Sequence, residues 1–100
     1  MTATQALTRR GRQILAHLRT YNPDSLLKDD ARKAYTQYGI IKALGTGRGT
    51  TSDLIRMFIA EDLVMVSRTV VGDRGGSVRT YALTDKGRAA VKLIGMLEGP

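Results

Sequence analysis

The stretch LGTGRGTTSDLIR, residues 44–56, alternates glycine with other residues and then passes into an apolar pattern at helical spacing. Such glycines occur in two unlike settings, a loop whose backbone amides cradle phosphates and a tight turn between two helices. A Walker-type loop needs G-x-x-x-x-G-K-[ST], because its lysine reaches the β- and γ-phosphates and its hydroxyl binds magnesium. Here Gly45 and Gly49 are one residue too close, and Thr50 stands where that lysine should follow. A dinucleotide fingerprint needs a preceding strand, a third glycine at position 50 and a βαβ unit around it. The chain has a helical pattern before the glycines, a threonine at 50 and turn-flanked β-patterns after. Both nucleotide readings fail on spacing and on context, and with them an enzyme built on this loop.

The flanks favour the helical turn. Downstream, Thr51, Leu54, Ile55, Phe58 and Ile59 make an apolar stripe at helical spacing. Thr50-x-x-Asp53 matches a capping box with Asp in place of Glu, which predicts a helix from about Thr50 to about Glu61. Upstream, Leu26, Leu27, Ala31, Ala34, Tyr35, Tyr38, Ile41 and Leu44 form another stripe, opened by Asn22-Pro23. Gly39 leaves open one bent helix or two, broken between Thr36 and Gly39. Further back, Leu7, Ile14, Leu15, Leu18 and Tyr21, with Thr8 as N-cap, predict a first helix over residues 8–20. His17 lies at the edge of that stripe and reads as a packed or half-exposed imidazole.

After the second stripe the period changes from helical to alternating. LVMVSRTVV (residues 63–71) and VRTYAL (residues 78–83) flank GDRGGS (residues 72–77), the chemistry of a β-hairpin and its turn. Thr84-Asp85 then caps a final helix to about Leu97, with Ala90, Val91, Ile94 and Leu97 on one side. The expected fold class is mainly α with a small β-hairpin (α+β), three or four helices, a two-stranded wing and a C-terminal helix. Residues 1–100 read as a single domain with an ordered core of about residues 7–97.

The net charge of +7 points to a polyanionic partner. Residues 1–50 carry nine Lys and Arg against three Asp, net +6, and residues 51–100 carry seven against six acids, net +1. The excess is therefore N-terminal, around Arg9, Arg10, Arg12 and Arg19. With no cysteine and one histidine, neither a thiolate nucleophile nor a cysteine- or histidine-rich metal site is expected, and no cofactor is. The absence of a long apolar run or a signal-peptide core gives the expectation of a cytoplasmic, nucleoid-associated protein with no membrane partner. Tyr21, Tyr35, Tyr38, Phe58 and Tyr81 all read as core positions, which leaves no platform on which single-stranded bases could stack.

With these elements in order, the chain resembles the winged-helix family of transcriptional regulators over nearly its whole length, from about Leu7 to Leu97. TQYGIIKALGTGRGTTSDLIRMFIAEDLV (residues 36–64) resembles that family's helix-turn-helix, with AEDLV where the family commonly has Glu-Gly-Leu-hydrophobic. RTYALTDKGRAAV (residues 79–91) resembles its second wing strand and following helix. Glycines at 45, 47 and 49 are more than the usual turn carries, as if the backbone there came near a phosphate.

The resemblance implies a sequence-specific double-stranded DNA-binding protein, a non-enzyme that regulates transcription. The helix from Thr50 to Glu61 would enter the major groove, with Ser52, Asp53, Arg56 and Met57 facing the bases and Arg56 placed for bidentate contact to guanine. Asp53 fits capping better than reading. Lys42, Arg48, Thr50, Thr51, Arg9, Arg10 and Arg12 are candidate backbone contacts, although Thr51 also falls on the inward stripe. In the wing at residues 72–77, Arg74 lies at the tip, with Arg68 and Arg79 on the strands below, at the backbone or minor groove. A single module covers little DNA, so a homodimer is expected, through the first helix or through the final helix at Leu93, Ile94, Met96 and Leu97. No small-molecule ligand is expected. The alternative is a winged-helix protein-interaction module in a replication or transcription assembly, for which Ser52, Arg56 and Arg74 would be unimportant.

Overall fold

In the computed structural model, the described residues are 8–22, 32–71 and 75–97. Expectations that rest on Leu7, Leu26, Leu27, Ala31 and Arg74, or on the side chains of Arg68, Ile94, Met96 and Leu97, lie outside them. The order of elements is α1 (Arg9–Arg19), a 3-10 turn (Lys33–Tyr35), α2 (Gln37–Leu44), α3 (Arg48–Ala60), β1 (Val64–Val71), β2 (Ser77–Leu83) and α4 (Asp85–Leu97). Four α-helices and one antiparallel hairpin among the described residues bear out the expected α+β class.

Helix α1 starts where the sequence places it: extended Thr8 accepts a hydrogen bond from the Gly11 amide at 3.1 Å. Its apolar spacing turns Ile14, Leu15 and Leu18 into the core. Upstream of the glycines residues 23–31 lie outside the described residues, and the break expected between Thr36 and Gly39 falls at Thr36. That residue is extended, bridges to Thr80 of β2 beside the hairpin, and caps α2 by accepting the Gly39 amide at 3.0 Å. Gly39 does not break the helix; it packs directly on the backbone of Lys33 and Ala34.

Gly45 closes α2 in the left-handed region (φ 65°), donating its amide to the Ile41 carbonyl at 2.8 Å. Gly47 then takes an extended conformation as N-cap of α3, without a side-chain cap. The expected capping box does not form: α3 begins at Arg48, so Thr50 and Asp53 already lie within the helix and are exposed. The threonine that matters is the next one. Thr51 is fully buried, and its hydroxyl meets that of buried Thr46 at 2.5 Å, tying the turn to the helix.

The core joins Ile14, Leu15 and Leu18 of α1, Ile40 of α2, Leu54, Ile55 and Phe58 of α3, Val64, Leu83 and Val91. Complete burial of a side chain such as Phe58 contributes roughly 1.5–3 kcal/mol before entropy is counted. Three positions on the expected apolar stripes turn out to be on the surface, Ala34 among them. Tyr38 is 64% exposed because it projects from α2 opposite Ile40, and Ile59 is 41% exposed because it lies off the Leu54–Phe58 line of α3.

Helix α3 ends in a Schellman motif, with the Leu63 amide on the Phe58 carbonyl at 2.8 Å and the Asp62 amide on the Ile59 carbonyl at 3.0 Å. Asp62 occupies the left-handed position (φ 61°) that glycine takes at no steric cost. Asp62→Gly is therefore expected to stabilise the fold by about 1 kcal/mol, read as a raised denaturation midpoint at unchanged m-value. An unchanged or lowered midpoint would show that the aspartate side chain offsets its backbone strain.

Strands β1 and β2 pair from Val64–Leu83 to Val71–Ser77, with a bulge between Val66 and Thr69 that puts an extra residue on β1. Beneath them lies a polar cluster that the sequence analysis did not find. Tyr21 stacks on Tyr35 at 4.3 Å between ring centroids, and buried Arg32 donates to the Tyr21 hydroxyl at 2.8 Å. Burial pushes the Tyr21 phenol up. The hydroxyl of Thr80, the Arg32 guanidinium and Ser67 outweigh burial and hold it below the ordinary tyrosine value. His17 donates from Nε2 to the Ala34 carbonyl at 2.7 Å, the packed imidazole expected from its position.

Candidate nucleic-acid interface

The site is built by two short helices and the turn between them. Both bury their inner sides on one core, Ile40 from α2 and Thr51, Leu54, Ile55 and Phe58 from α3, and the two pack against each other, each keeping an outer side in solvent. On α3 that outer side runs through Gly49, Asp53, Arg56 and Ala60, all exposed. Small residues on either side of Arg56 let another surface come close to the helix axis at that point. Ser52 is half-buried and accepts a hydrogen bond from Arg56 Nη2 at 3.4 Å, a weak tether on an otherwise free guanidinium.

The four base-facing candidates therefore divide. Arg56 and Asp53 lie on the outer side, and Ser52 flanks it. Met57 stands apart from them: it is half-buried and packs against the core, because at the edge of the outer side it is also three positions after buried Leu54 and so shares part of that residue's face. Of the backbone candidates, Lys42, Arg48, Thr50, Arg9 and Arg10 are exposed. Arg12 is half-buried and engaged within the protein. Thr51 is enclosed with its hydroxyl on Thr46, so its side chain cannot reach a phosphate.

The first turn of α3 keeps its amides free of any side-chain cap, and a Cβ at Gly47 or at Gly49 would meet nothing within 4 Å. Neither glycine is required by packing. Together they leave an unobstructed patch of amides at the positive end of the helix dipole, next to Arg48. In the wing, Arg79 of β2 is exposed. A cleft of about 770 Å³ between the end of α1 and the start of α4, lined by Arg19, Asp62, Lys86 and Arg88 among others, takes no residue from α2 or α3. No helix among the described residues is long and apolar enough to cross a membrane.

No protein-family model matches the sequence, and no curated protein matches it. The fold itself is found among solved structures. An alanine-to-valine mutant of MepR from a multidrug-resistant S. aureus clinical isolate superimposes with a TM-score of 0.70 at 22% identity, covering 96% of this chain and 60% of that one. A glycine-to-lysine mutant of S. aureus MepR gives a TM-score of 0.60 at 23% identity, covering 92% of this chain and 61% of that one. The chain thus spans about 60% of the length of the MepR chains it resembles, and its fold is the winged helix.

Proposed function

We propose that this chain is a sequence-specific reader of double-stranded DNA that regulates transcription, with α3 in the major groove and the hairpin turn at residues 72–77 against the backbone or minor groove. The observation that carries the reading is the outer side of α3. It is an exposed, shallow face of Gly49, Asp53 and Ala60 around Arg56, whose guanidinium is only weakly tethered to Ser52, preceded by uncapped amides with Arg48 and Thr50 exposed in the first turn, and Lys42 is exposed on α2. Arginine on such a face suits the guanine edge, which offers two acceptors, while the amides and cations suit phosphates. The MepR chains share the fold.

The reading includes a homodimer, since one module buries only roughly 600–1,000 Å² on DNA. Leu93 of α4, 58% exposed, supports that helix as the place where a second copy packs. It also includes a cytoplasmic, nucleoid-associated setting and no catalytic step.

Selection of bound sites from random duplex DNA, repeated across a salt series, tests it. The expected result is an inverted repeat with half-sites about one helical turn apart, and affinity falling with a log–log salt slope of about −0.9 per phosphate contacted. Binding with no sequence preference, or none at all, would overturn the reading and favour the protein-interaction module.

A further inference from the structure

We infer that Tyr38 is a DNA-backbone contact, acting with Lys42 as a clamp on one phosphodiester group beside the groove that α3 enters; the inference rests on the DNA reading above. Tyr38 is the most exposed large hydrophobic side chain among the described residues, at 64%. An exposed tyrosine is unremarkable where its hydroxyl or ring is used inside the protein. Among the described residues, however, neither hydrogen bond nor ring contact engages it, and the same holds for the Lys42 ammonium. The two are four positions apart on α2, so they stand one above the other on the side opposite buried Ile40.

The helix that carries them is held firmly. Thr36 caps it through the Gly39 amide, Gly39 rests on the backbone of Lys33 and Ala34, and Gly45 ends it at the turn into α3. Nothing in this packing requires an aromatic residue at 38. A phenol there supplies what a phosphodiester and its sugar accept: one O–H donor, and a flat apolar face that loses little rotamer entropy on contact. Lys42 supplies the charge. The chemistry selects a polyanionic backbone, since the outer side of α2 carries no acid.

The test uses the full chain with the duplex selected above and with a scrambled duplex, comparing Tyr38→Phe, Tyr38→Ala, Lys42→Gln and, as reference, Arg56→Ala. Tyr38→Phe is expected to weaken binding to both duplexes about 10-fold at unchanged salt slope, because it removes one hydrogen bond from an uncharged donor to a charged phosphate. Tyr38→Ala is expected to weaken it further, again on both. Lys42→Gln is expected to weaken both and to make the slope shallower by about 0.9. All three side chains being exposed, their melting temperatures should match wild type, and that match is checked first. If the wild type binds its site and the Tyr38 variants bind equally well, the clamp is overturned while the DNA reading stands. A Tyr38 variant that alters preference between the duplexes without weakening both also overturns it, since a backbone contact carries no sequence information. If the wild type binds no duplex, the DNA reading itself has failed and the clamp with it.

Discussion

Gly87→Ala is expected to destabilise the protein by about 3 kcal/mol or more, a large part of the 5–15 kcal/mol on which a domain of this size rests. A Cβ at position 87 would lie 2.0 Å from the Leu63 carbonyl oxygen and 3.0 Å from its carbon, both backbone atoms that cannot swing aside. The contact is the hinge point of the fold. There the corner after α3 meets the start of α4, and four interactions depend on it. The Thr84 amide donates to Leu63 at 3.0 Å, and the Thr84 hydroxyl to the Asp62 carbonyl. Lys86 reaches the Glu61 carbonyl at 2.9 Å, and the Gly87 amide is capped by Thr84 at 2.9 Å. Relief of the clash requires α4 to retreat, and these bonds loosen together.

Thermal unfolding reads the result, with a fall in melting temperature of more than about 10 °C expected for a chain this short. Gly49→Ala is the matched comparison. It lies inside α3 with open space around it, so the same substitution there should raise stability by about 1 kcal/mol through helix propensity. Near-equal melting temperatures for the two variants would mean that α4 can move off Leu63 at little cost.

The second large effect concerns recognition. On the proposed reading, Arg56→Ala is expected to lower affinity for the selected site by about 1–3 kcal/mol, about 5- to 150-fold, and to leave affinity for a scrambled duplex nearly unchanged. The reason is geometric: Arg56 is the only cation of α3 beyond its first turn, and its weak bond to Ser52 leaves most of the guanidinium's donors unused. Arg56→Lys should recover little of the loss, since a lysine cannot offer the two parallel donors that match a guanine edge. Equal losses on both duplexes would make Arg56 a phosphate contact, and no loss on either would remove it from the interface. Stability is not at issue in either variant, because the side chain is exposed.

The parts of this protein that were legible in advance are those set by local chemistry. Thr8 before an apolar stripe and Thr84-Asp85 before another each begin a helix where a short side chain can accept an amide. The alternation around GDRGGS predicts a hairpin, and it forms within a residue of its expected ends. The context of Gly45 excluded a nucleotide loop, and the residue closes a helix as a turn glycine should. Where local chemistry offered two equivalent options, it misled. Thr50 and Thr51 are both hydroxyl residues at a helix start, and the capping box chose the first. The fold uses the second, because a buried Thr46 was waiting across the turn.

What the sequence by itself determined, then, is the order and type of the elements, since capping, turn and periodicity depend on neighbours along the chain. Tertiary structure alone decided which side of each element is covered. Tyr38 and Ile59 lie on the expected apolar stripes, yet stand in solvent because none of the described residues covers them, whereas Ile40, off its stripe, is fully buried. Met57 has the spacing of an outer residue and is drawn against the core. The Tyr21–Arg32–Thr80 cluster joins residues up to 59 positions apart, and Gly87 is needed only because Leu63 lies against it. Burial and close approach are properties of pairs brought together by the whole fold, and no local pattern encodes the partner.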